Sequence, residues 1–72
     1  MTPSTLRAVG EALYGPRWQC ELAHELAVSD RTMRRWAAGT ADIPDLRGEL
    51  REIIARRRAA LQTLDRALAA RA

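Results

Sequence analysis

The stretch Gln19–Gly39, QCELAHELAVSDRTMRRWAAG, decides the fold. Its spacing predicts two helices of about eight residues joined by the turn Ala27-Val28-Ser29. Small or apolar residues stand at Leu22, Ala23, Leu26, Val28, Met33 and Trp36. Ala23 is small where two helices cross closely. Leu22 and Leu26 are i,i+4 neighbours and face inward, Val28 fills the turn from below, and Met33 and Trp36 form the inner face of the second helix. Ser29 is the expected N-cap and Asp30 complements the positive helix end. Gly39 stands where a helix-ending glycine belongs.

Each helical residue turns about 100° from the one before. With Met33 inward, Arg31, Arg35 and Ala38 therefore point away, flanked by Thr32 and Arg34. One outward face thus carries three arginines and a hydroxyl. A helix of this width fits the DNA major groove, where arginine pairs with guanine O6 and N7.

Working outward, a first helix is expected from Pro3 to Leu13, capped by Thr2, with Leu6, Val9 and Leu13 on one face. Gly15 and Pro16 break it, and the second helix is expected from Pro16 to Leu26. After Gly39 a loop leads to Pro44, the expected first residue of a long helix reaching Ala70, with a break near Arg56 to Arg58 as an open alternative. No run alternates with period two, Phe is absent, and Val and Ile are few. The expected fold is all-α: a four-helix helix-turn-helix domain with a long C-terminal helix, filling residues 1–72 as one domain.

A chain of 72 residues buries only about 60% of the surface it exposes when unfolded. Such a body suits binding by a surface better than a layered catalytic cleft, and no enzyme activity is expected. The formal charge is +3, from 12 arginines and no lysine against 9 acidic residues. Fourteen alanines beside those arginines fit GC-rich codon usage, but the excess positive charge also suits a polyanion. One cysteine forms no internal disulfide. No leader-like segment is read at the N-terminus, and no run approaches the roughly 18 apolar residues of a membrane helix. A cytoplasmic, bacterial or phage-encoded protein is expected.

At Gln19, Leu22-Ala23, Leu26, Val28-Ser29, Thr32-Met33, Arg35-Trp36 and Gly39 the sequence resembles the λ-repressor/Cro-like (XRE-type) helix-turn-helix family. Ile43-Pro44, opening a further helix, suits that family too. The resemblance implies that helix 30–38 is the recognition helix and that Gln19 touches the DNA backbone. It aligns Ser29, Arg31, Thr32, Arg34 and Arg35 with positions that read bases or phosphates, and Thr40 with a phosphate-contacting loop. Arg17 joins this set from its charge and its place beside Gln19. Two departures stand out. Ala27 occupies a position that is usually glycine and tends to need φ > 0, where a Cβ costs on the order of 1 kcal/mol. One long terminal helix also replaces the usual two shorter ones.

Along that helix, Leu46, Leu50 and Ile53 are expected to pack on the preceding helices. Ile54, Leu61, Leu64 and Leu68 follow at heptad-like spacing, with Arg57 at an intervening seam position. They are the expected homodimer interface, the alternative being a back-folded hairpin. The run Arg56-Arg57-Arg58 reads as a solvated face with pairs such as Glu52–Arg56. Cys20 and His24, i,i+4, are too few to make a zinc site, and nothing orients them as a nucleophile and base. Trp18, Trp36 and Tyr14 read as packing residues. Neither a metal, a cofactor nor a small-molecule effector is expected. The expected function is a DNA-binding transcriptional regulator, a dimeric repressor acting on double-stranded DNA. The alternatives are an antitoxin or phage accessory regulator whose C-terminal helix binds another protein, and a helical adaptor that ignores DNA.

Overall fold

The computed structural model describes residues 1–70. They form α1 (Pro3–Tyr14), a 3-10 turn (Gly15–Arg17), α2 (Trp18–Glu25), α3 (Asp30–Ala38) and α4 (Arg47–Ala70), with no strand among the described residues. The fold is all-α. None of these helices is long and apolar enough to cross a membrane.

α1 starts as its sequence dictates. Thr2 accepts from the Thr5 amide at 3.2 Å, and Pro3 takes the first turn, where its missing N–H has no helical partner to lose. Its inner face buries Leu6 and Gly10, with Val9 and Leu13 packed beside them. Gly10 matters because the Trp18 ring lies directly on it: a Cβ there would overlap the indole.

The second helix does not begin at Pro16. Gly15–Arg17 form a tight 3-10 turn, and Arg17 departs from helical geometry at φ −101°, ψ 37°. That kink separates α1 from α2 and turns Trp18, only 3% exposed, into the core. α2 also ends at Glu25, one residue before the expected Leu26.

α2 and α3 end alike. After α2 the Val28 amide donates to Ala23 O (3.0 Å) and the Ala27 amide to His24 O (3.2 Å); after α3 the Thr40 amide donates to Arg35 O (3.0 Å) and the Gly39 amide to Trp36 O (3.1 Å). Each pair is the Schellman pattern, which requires a left-handed residue at the turn. Gly39 supplies it at φ 76° and Ala27 at φ 56°, the only non-glycine with positive φ among the described residues. The expected backbone demand at Ala27 is met with alanine in place. Ser29 then caps α3, accepting from the Thr32 amide at 3.1 Å.

α4 begins three residues later than expected. The Asp45 carboxylate accepts from the Arg47 amide at 3.1 Å, a local bond that competes with helix at Pro44–Leu46. Leu46 O accepts the first helical bond, from the Leu50 amide at 2.9 Å. From Arg47 the helix runs 24 residues without the break considered at Arg56–Arg58, about 36 Å at the helical rise.

Leu6, Trp18, Leu22, Ala23, Met33, Trp36, Leu46, Leu50 and Ile53 make one core, each large member contributing about 1.5–3 kcal/mol by burial. That core sits at one end of a molecule 49 × 22 × 20 Å in extent, because α4 continues beyond the body. Every residue of 55–70 is exposed.

Candidate nucleic-acid interface

α3 is positioned by opposite faces of very different chemistry. Met33 is fully buried and Trp36 is 8% exposed, which fixes the helix roll. Arg31, Arg34 and Arg35 consequently stand exposed, with Thr32 half-buried at their edge. None of the three arginines, nor exposed Arg17, joins an ion pair among the described residues, whereas Arg7, Arg47 and Arg56 each lie beside a carboxylate. Their guanidinium groups are therefore available to an outside anion or base edge.

The hydroxyl groups of the predicted set are differently disposed. Ser29 Oγ accepts from the Thr32 amide and donates to Thr32 Oγ1 at 2.9 Å. Its proton is committed to Thr32 Oγ1, while the Thr32 hydroxyl proton has no protein acceptor among the described residues. Thr40 directs both its donors, the amide at 3.0 Å and Oγ1 at 3.2 Å, to Arg35 O. A phosphate contact from the Thr40 hydroxyl requires giving up that bond. Gln19 is half-buried in the first turn of α2, and Arg17 immediately precedes that helix. No side chain caps α2, so its partial positive end adds to the charge of Arg17.

The remaining polar groups tie the helices together. Cys20 Sγ donates to Asp30 Oδ2 at 3.7 Å, linking α2 to the start of α3. His24 and Cys20 are both exposed, and no group of three or more metal-ligating side chains gathers among the described residues.

The arginine run of α4 is exposed, as expected, but its partners are not the expected one. Arg56 Nη2 lies 3.5 Å from Glu25 Oε2 of α2, a tertiary ion pair in place of the expected Glu52–Arg56 pair. Arg57 Nη1 donates to Leu13 O at 3.0 Å, and its guanidinium carbon lies 5.3 Å from the Tyr14 ring centre. Two of the three arginines thus fasten α4 to the body, and Arg58 remains exposed. Spacing on α4 alone gave no sign of this, because both partners lie on other helices.

Beyond Arg57, the expected interface residues Leu61, Leu64 and Leu68 are 57%, 59% and 70% exposed. Ile54 is half-buried. It lines a groove of about 490 Å³ with Ala12, Leu13, Arg57, Leu61 and Asp65 among its walls. Ala12 and Leu13 were not part of the expected interface. They line the groove beside α4, where Arg57 bonds to the last turn of α1.

Comparison of the chain with family models, with curated proteins and with solved structures finds no match.

Proposed function

We propose that this protein is a sequence-specific double-stranded DNA-binding regulator of the λ-repressor/Cro-like helix-turn-helix type. In this reading α3 lies in the major groove and the chain works as a homodimer that represses by occluding a promoter. The observation that carries the reading is the outward face of α3: Arg31, Arg34 and Arg35 stand exposed and unpaired among the described residues, on a helix whose roll is fixed by buried Met33 and Trp36. Arginine presents two parallel donors to guanine O6 and N7, and a rigid helix delivers them in register. Arg17, Gln19 and the start of α2 supply backbone contacts that set this register. The left-handed turn at Ala27 and the Ser29 cap support the resemblance at backbone level, since they fix the angle between the two helices.

The test is binding of fluorescent duplex DNA at several salt concentrations. Affinity falls with a slope of about −0.9 per neutralised phosphate in log–log form, and replacing Arg31, Arg34 and Arg35 together by alanine abolishes preference for a selected site. Binding that ignores salt, or a triple variant with unchanged preference, removes α3 as the reader and favours the protein-binding adaptor.

A further inference from the structure

The buried stripe of α4 does not stop where the body stops. Leu46, Leu50, Ile53, Arg57, Leu61, Leu64 and Leu68 follow one another at steps of three and four residues, a single face of the helix. The first three are buried in the core, Arg57 grips the end of α1, and the last three lie open. The same face that holds the body therefore continues about 17 Å past Arg57 with no cover from the described residues of its own chain.

We infer that a second copy of this chain covers this stripe with its own α4, running antiparallel, and that the partner's Leu68 enters the groove between Ala12, Leu13 and Ile54. The pairing rests on the two-copy part of the proposed function and not on DNA binding.

Register and charge select this arrangement. Placing Leu61 opposite the partner's Leu64 makes the apolar stripe complementary to itself and sets the partner's Leu68 across from Arg57. There the Arg57 head is already held by Leu13 O and Tyr14, which leaves its aliphatic stem for the leucine. On one flank, Arg58 comes within about 3 Å, measured along the axis, of the partner's Asp65, and the two-fold repeats the pair. On the other flank, Ala60 meets the partner's Ala67, small on small, so the helices can approach closely. A parallel pair stacks Arg57 on the partner's Arg57 and sets Arg58 and Asp65 beside the partner's Ile53 and Ala60, so it brings no opposite charges together. Arg58 and Asp65 are seven residues apart and make no ion pair within their own chain among the described residues.

The antiparallel register also spaces the two bodies. The core residue Leu50 lies 12.5 residues from the midpoint between Leu61 and Leu64, so the two Leu50 positions are about 38 Å apart along the helix axis. One turn of B-DNA is about 34–36 Å. A parallel pair holds the bodies side by side, about 10 Å apart at the axes.

Charge reversal and a distance test the pairing in the full chain. In sedimentation equilibrium, Arg58→Asp and Asp65→Arg each weaken the dimer about tenfold or more, and the double variant R58D/D65R restores it to within about threefold. Nitroxide labels on a Cys20→Ser, Glu49→Cys chain give a distance near 40 Å. Additive weakening in the double variant, a label distance under about 20 Å, or a wild-type monomer at high concentration overturns the antiparallel pair; the monomer assigns the stripe to a different protein. A dimer that meets all these expectations but shows no DNA preference keeps the pairing and removes the regulator reading.

Discussion

Arg57 of α4 donates from Nη1 to the backbone oxygen of Leu13, 3.0 Å away, at the last turn of α1. The oxygen is one of the carbonyls that a helix end leaves without a helical partner, and it carries part of the negative helix pole. The same guanidinium sits 5.3 Å from the centre of the Tyr14 ring. One side chain thus caps α1, stacks on its final aromatic and anchors the point at which α4 leaves the body. Arg57→Ala is expected to cost about 1 kcal/mol of unfolding free energy. Hydrogen exchange in α4 beyond Ile53 should accelerate more than exchange in α2, and equal acceleration in both helices would show that Arg57 does not act as this anchor.

The turn between α2 and α3 holds Ala27 in the left-handed region at φ 56°. A left-handed alanine costs about 1–2 kcal/mol, part of which glycine gives back through its greater freedom when unfolded. Ala27→Gly is expected to raise stability by about 0.5–1 kcal/mol in chemical denaturation, with DNA preference unchanged. A loss of stability would mean that the Cβ packs in a way that outweighs the backbone term.

Gly10 offers the opposite case. The Trp18 indole occupies the space that a side chain at Gly10 would need, and Trp18 is only 3% exposed, so the ring has nowhere to go. Gly10→Ala favours the isolated α1 by about 1 kcal/mol yet should destabilise the protein by about 1–3 kcal/mol through overpacking. A thermal melt at or above the wild-type temperature would contradict the Gly10–Trp18 contact.

At the start of α4, hydrogen bonds from the Arg47 side chain, then from its backbone amide, hold the Asp45 carboxyl below the usual carboxylate range. A depressed folded value means that the ionised form favours the folded state. The contribution is complete above the ordinary aspartate range near pH 4 and is lost as pH falls through the lower folded value. The protection of the Arg47 amide, corrected for the intrinsic pH dependence of exchange, should therefore fall in acid, and in Asp45→Asn that fall should vanish. Full exposure of the pair keeps the effect local to this helix end.

Much of the helical body is legible in the sequence because its signals are local. Thr2, Ser29 and Gly39 act within a turn of themselves, while the demand at Ala27 is signalled only by the resemblance at that position. The inward set Leu22, Ala23, Met33 and Trp36 follows from spacing alone. What escapes is set by partners distant in the chain or by competing local bonds. Pro44 looks like a helix start until the Asp45 carboxylate takes the Arg47 amide. The arginine run is solvated as its sequence suggests, but its partners, Glu25 and Leu13, lie on two other helices. In the candidate site the outward arginines of α3 are readable from helical rotation. The internal use of the Ser29 and Thr40 hydroxyl protons is not, because it depends on side-chain rotation within the caps.

Whether α3 reads duplex DNA in pairs is answered by selecting binders from random duplex DNA. A dimer with α3 in the major groove enriches an inverted repeat whose half-sites lie about one helical turn apart, with Arg35→Ala relaxing the preference at one base position by about 1–3 kcal/mol. Folded protein at low salt that enriches no sequence would contradict it.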